Sequence, residues 1–160
     1  MSTAAKVAIT IALFVLLAWG GDVMYTKMQV ADALRSAFEA VGLPPLWGEA
    51  LGRTESNLRA TAINNTGGDA ARGGSYGATQ ISQKTARAYG YTGPMENLLT
   101  DLNLMASLSA KIAAAGSPMT IEDLGAWWNA GHRTFDSLPA DHITRTDYVP
   151  KLISNLEALS

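Results

Sequence analysis

The chain has 160 residues, with 12 Lys and Arg against 14 Asp and Glu, a formal net charge of −2 and 16% charged residues. This length argues for one domain, and the charge balance excludes an electrostatic nucleic-acid footprint. The chain has no cysteine, which rules out a disulfide scaffold and a thiolate metal site and leaves the redox compartment open.

Residues 7–19 are uncharged and nearly all apolar, with Thr10 the one polar side chain and Lys6 just before them. With Ala4, Ala5 and Gly20 the segment approaches the roughly 17–20 residues that a spanning helix needs. Two readings fit. One is a single transmembrane helix over 1–21, with Lys6 inside and the rest of the chain outside. The other is a secretory signal, although Ala18-Trp19-Gly20 makes a poor cleavage site. In both, the remaining domain works on the far side of a membrane. A helix is expected over 22–41, because Val23, Met24, Met28, Ala31, Leu34, Phe38 and Val41 recur at helical spacing. The stretch 22–44 reads as a stalk or as the first helix of the domain.

Gly42-Leu43-Pro44-Pro45 breaks that helix, and Pro45 is well placed to open the next. There Leu51, Thr54, Glu55 and Leu58 share one face, which Trp47 extends by a turn. A carboxylate inside such a stripe is unusual, because a charge facing a core is costly. Desolvation holds such a glutamate protonated, as a general acid requires. After Arg59 comes a polar, glycine-rich run over 62–81. It allows a short β-hairpin within 64–80, with Gly67-Gly68 and Gly73-Gly74 as turns. A carboxylate at a helix end facing a glycine-rich polar wall is the outline of a cleft for a polar ligand. Asp69, the other acid of this stretch, reads as loop or surface.

Ser82 is the expected N-cap of a short helix ending near Gly90. Tyr91-Thr92-Gly93-Pro94 reads as a turn. Leu98, Leu99, Leu102, Met105, Leu108 and Ile112 form one long apolar stripe ending before Gly116, read as core. Thr120 with Asp123 resembles a capping box, and it opens a helix that carries Leu124, Trp127 and Trp128 and ends on Gly131. The tryptophans read as core, with one ring able to serve a sugar site as well. His132 and His142 read as surface or loop. A last helix carries Tyr148, Leu152, Ile153, Leu156 and Leu159. No stretch alternates like a strand for any length, so the domain reads as mainly α.

Four blocks in order carry a family resemblance: Glu55-Ser56, Gly77-Ala78-Thr79-Gln80-Ile81, Ala126-Trp127-Trp128-Asn129-Ala130-Gly131, and Thr144-Arg145-Thr146-Asp147-Tyr148-Val149-Pro150-Lys151. Together they resemble the Glu-Ser, Gly-Leu-Met-Gln-Ile, Ala-Tyr-Asn-Ala-Gly and Glu-Thr-Arg-x-Tyr-Val-x-Lys motifs of lytic transglycosylases with a goose-type lysozyme fold. The resemblance implies a mainly α, lysozyme-like catalytic domain over 45–160. It implies cleavage of the β-1,4 bond between N-acetylmuramic acid and N-acetylglucosamine in peptidoglycan strands, closing a 1,6-anhydro ring without metal or cofactor. Glu55 would be the acid and base. Ser56 would hold the helix end or hydrogen-bond near the site, Gln80 and Asn129 would line the cleft, and Tyr148 would set its hydroxyl against Glu55. Ala78-Thr79 stands where the family has Leu-Met, implying smaller and more polar packing on the substrate side, and Thr144 replaces the family's glutamate. The alternatives are a lysozyme on the same fold, for which Asp69 is the one candidate to activate water, and a non-catalytic wall-binding protein. The implied partners are peptidoglycan and the membrane. The implied setting is a phage virion opening the wall or a secretion or conjugation machine crossing it.

Overall fold

A computed structural model describes residues 25–66 and 70–160. The membrane segment expected over 1–21 lies outside these residues, as do Val23, Met24, Gly67, Gly68 and Asp69. Among the described residues no helix is long and apolar enough to cross a membrane. The described chain is mainly α, with one small antiparallel sheet.

Helix α1 spans Lys27–Ala40. It starts on Thr26, whose hydroxyl accepts from the Gln29 N–H while the Gln29 side chain accepts from the Thr26 N–H. This reciprocal cap satisfies two donors that a helix start otherwise leaves unpaired. Val30, Ala31, Leu34 and Phe38 form its buried face, whereas Met28 points to solvent. The face packs on α2, Pro45–Ser56, and on α5, Leu102–Ala115, so the segment belongs to the domain core. Two glycines of α2 allow the close approach. A Cβ on Gly48 would lie 2.7 Å from the Phe38 ring, and one on Gly52 would lie 2.7 Å from Leu34 Cδ1.

Helix α2 stops at Ser56, because Asn57 and Leu58 both take left-handed backbone conformations. Leu58 is therefore not a continuation of the helical stripe. Its N–H donates back to the Gly52 carbonyl, and its side chain is buried beneath the helix end. The sheet follows: β1 Ile63–Asn64, β2 Ser75–Tyr76 and β3 Ile81–Ser82, in that order, with Ile63 opposite Tyr76 and Tyr76 opposite Ile81. The β2–β3 turn is Gly77-Ala78-Thr79-Gln80. Of the glycine pair expected as a turn at 73–74, Gly73 closes a turn by donating its N–H to the Ala70 carbonyl, and both glycines take positive φ just ahead of β2.

Helix α3, Gln83–Ala88, starts on Ser82 as expected, with the Ser82 hydroxyl accepting from the Thr85 N–H. The long stripe after it divides in two. A single turn, α4, covers Asn97–Thr100, and Asp101 then breaks the axis and caps α5 through the Leu104 N–H. An aspartate side chain competes for backbone donors and so favours a helix start over a helix interior. Helix α6, Ile121–Ala130, is capped by Thr120 and ends on Gly131 in the left-handed conformation. The expected capping box is only half made, because the Asp123 carboxylate accepts from the Phe135 N–H. A 3-10 turn, Phe135–Ser137, leads to a π turn, Thr144–Tyr148, that runs directly into α7, Val149–Glu157.

The buried side chains form two clusters. One joins α1, α4, α5 and the sheet around Leu34, Ile81, Leu98 and Met105. The other joins α1, α2, α5, α6 and α7 around Phe38, Leu51, Leu124 and Leu152. Each large apolar side chain so buried contributes about 1.5–3 kcal/mol. Trp128 packs against both clusters. Helix α2, held between α1 and α7, thus brings its C-terminal turn to the π turn ahead of α7.

Candidate active site

Glu55 is the penultimate residue of α2 and is half-buried. Its carboxylate accepts a hydrogen bond from the Tyr148 hydroxyl, 93 residues away in sequence. Tyr148 closes the π turn, a departure from α-helical geometry that is frequent at functional sites. A second contact fixes the same pair of helices. The Asn155 amide of α7 donates to Thr54 Oγ1 at 3.0 Å, and that hydroxyl donates to the Ala50 carbonyl at 2.8 Å. The Tyr148 phenol is pushed well above its ordinary value, first by burial, then by the charge of Glu55 and by the hydrogen bond to it. It therefore stays a donor across any physiological pH.

Ser56 does not line the cleft that holds Gln80 and Asn129. Its hydroxyl donates to the Ala78 carbonyl at 2.8 Å and accepts from the Arg59 N–H at 3.0 Å, tying the end of α2 to the β2–β3 turn. Of the two roles expected for it, holding the helix end is the one its contacts describe. In that turn Gln80 has φ +53°, and its side-chain amide donates to the Gly77 carbonyl at 2.8 Å and the Ala62 carbonyl at 3.2 Å. Both amide protons are engaged, so the carbonyl oxygen is what Gln80 offers a ligand. Gly77 cannot be replaced easily: its φ is +77°, and a Cβ would meet Met105 Cγ at 2.9 Å. Ala78 and Thr79 turn away from the cleft and are fully buried, with Thr79 Oγ1 2.7 Å from Ser109 Oγ. The expectation that they alter packing on the substrate side is therefore corrected. The polar residue is accommodated inside the core by a serine on α5.

Glu55, Gln80 and Asn129 line one cleft of about 620 Å³, with Trp127, Trp128 and Tyr89 supplying aromatic wall. Asn129 sits near the end of α6, and its Oδ1 accepts from the Thr144 hydroxyl at 2.6 Å. Thr144 is fully buried and opens the π turn. Asn129 therefore keeps its two amide protons for the cleft, the complement of what Gln80 offers. Trp127 is anchored by its indole N–H to the Ile112 carbonyl at 2.8 Å, while its ring packs on Gly116. Both tryptophans thus combine packing with cleft lining. Sequence reasoning did not single out Asn64, Arg72, Ser75, Lys84 or Tyr89, which line the same cleft. Their polar character was legible, but only the sheet and α3 bring them to Glu55.

Glu49, one and a half turns before Glu55, is the more deeply buried carboxylate of α2. It is clamped between Arg53, at 2.7 and 2.9 Å, and Arg35 of α1, and so braces the two helices rather than facing the cleft. Among the described residues Glu55 is the one carboxylate lining the cleft. Comparison of the chain with protein-family models, with curated proteins and with solved structures gave no match.

Proposed function

We propose that this chain is a peptidoglycan lytic transglycosylase on a goose-type, lysozyme-like helical fold. The observation that carries the reading is the Glu55–Tyr148 pair at the wall of a cleft lined by aromatic rings and by the amides of Gln80 and Asn129. An acceptor amide and a donor amide in one cleft suit an acetamido sugar, which presents both an N–H and a C=O. Tryptophan and tyrosine faces suit the apolar faces of sugar rings.

In this reading protonated Glu55 gives its proton to the glycosidic oxygen as the bond to the anomeric carbon breaks. The N-acetylglucosamine leaves as an alcohol. Positive charge develops on the muramic acid ring, where the substrate's own N-acetyl oxygen stabilises it. Glu55, now a carboxylate, takes the proton of the C6 hydroxyl as that oxygen bonds to the anomeric carbon. The 1,6-anhydro ring closes, Glu55 is protonated again, and no water is consumed. The nucleophile belongs to the same sugar, so proximity replaces an enzyme nucleophile. Among the described residues Glu55 is the one carboxylate in the cleft, and this chemistry requires no second one. The 1–21 segment, read as an anchor, would hold the domain on the cell-wall side of a membrane, in a phage particle or an envelope-spanning machine.

The test is mass spectrometry of sugars released from purified peptidoglycan by the protein and by Glu55→Gln. Anhydromuramic ends are expected, falling by about 10²–10⁴-fold in the variant at unchanged melting temperature. Reducing muramic ends would establish a hydrolytic lysozyme instead. No release by either protein, with wall binding retained, would establish a non-catalytic module.

A further inference from the structure

Glu55 lines two cavities, and they differ in chemistry. The first holds the aromatic rings. The second, about 680 Å³, lies between the C-terminal turn of α2 and the exposed face of α7, and is lined by Arg53, Arg59, Lys151, Asn57, Ser154 and Asn155 beside Glu55. Among the described residues it is lined by no aromatic ring and no aliphatic side chain for a sugar face to stack on, and by three cations against the one carboxylate of Glu55. Arg53 is already committed to Glu49. Arg59 and Lys151 are exposed, and neither has a carboxylate within ion-pair distance among the described residues. Nearby Asn155 and Asn57 add side-chain amides suited to peptide groups.

We propose that this recess is a subsite for carboxylates of the peptide stem carried by muramic acid, held by Arg59 and Lys151 while the sugars lie along the aromatic side of Glu55. The assignment rests on the peptidoglycan reading above and adds to it a preference for strands that keep charged stems. A ligand whose sugars lie in the aromatic cleft and whose stem enters the recess passes Glu55, which lines both. Exposed ion pairs are individually weak and screened by salt, so the preference is moderate and shrinks as ionic strength rises.

The test is binding of the full-length Glu55→Gln protein, which cannot turn substrate over, to two glycan oligosaccharides. One carries its peptide stems, and the other carries the same stems with their carboxylates converted to amides. About three- to tenfold tighter binding of the charged form is expected at low salt, collapsing towards equal affinity in Glu55→Gln with Arg59→Gln and Lys151→Gln. Reversing one charge, Lys151→Glu, sets a carboxylate against Arg59 and should by itself abolish the preference. Equal affinities in the parent, or a preference that survives the double substitution, would overturn the subsite. The catalytic reading fails separately. If the unsubstituted protein releases no anhydro ends while Glu55→Gln still prefers charged stems, the enzyme reading falls and the stem site stands. If it releases them from both substrates and the preference is absent, the stem site alone falls.

Discussion

Tyr148→Phe removes one hydroxyl and leaves the ring in place. The lost contact is the hydrogen bond donated to Glu55, which joins the π turn to the end of α2. A hydrogen bond to a charged group contributes about 1.5–3 kcal/mol. If that energy holds the carboxyl in line with the glycosidic oxygen, its loss lowers kcat/KM by about 10–100-fold, since about 1.4 kcal/mol corresponds to tenfold. The cost in stability is smaller. Glu55 is half-buried beside two open cavities, so water can replace the phenol, and the fold should lose about 0–1.5 kcal/mol. The assay is release of anhydro ends, alongside a thermal melt of each protein. An unchanged rate would refute the argument and reduce Tyr148 to a packing residue. A large fall in melting temperature would equally refute it, by attributing the lost rate to unfolding.

Ser56→Ala should leave the Ala78 carbonyl and the Arg59 N–H without their partner and cost about 1–3 kcal/mol, seen as a lower urea midpoint, with activity falling as the Gln80 turn loosens. Thr144→Val removes the donor that fixes the Asn129 amide, and a rise in KM of about three- to tenfold is expected, larger than the change in kcat and restored by Thr144→Ser. The raised Tyr148 phenol predicts alkaline destabilisation. Below about pH 10 both folded and unfolded chains keep this proton. Above it the unfolded chain loses the proton first, so stability falls by up to about 1.4 kcal/mol per pH unit until the folded phenol also ionises. Urea midpoints from pH 8 to 11 should show a decline that is shallower in Tyr148→Phe.

Local sequence determined most of the helices. Thr26, Ser82 and Thr120 each carry a hydroxyl that can accept a hydrogen bond at a helix start, and each does so. Gly131, free of a Cβ, takes the left-handed conformation that ends α6. The apolar spacing of Leu34, Phe38, Leu51, Leu124 and Leu152 marked side chains that are fully buried, because burial at helical periodicity needs no knowledge of the partner. The sequence also marked Glu55 as an anomaly within a stripe, and the family resemblance carried by four short blocks implied Tyr148 as its partner.

What local spacing could not determine was set by contacts across the chain. The stripe over 98–112 looked continuous, but the Asp101 side chain captured a backbone donor and divided it. Thr79 looked like a change in the substrate wall until Ser109, 30 residues on, proved to be its partner inside the core. The direction of each amide was equally invisible. Gln80 spends both its protons on backbone carbonyls of the sheet region, while Asn129 keeps its protons because Thr144 occupies its oxygen. Hydrogen-bond direction depends on which groups converge in space. Residue types alone therefore name some members of this site, and only the tertiary packing adds the others and decides what each presents to a ligand.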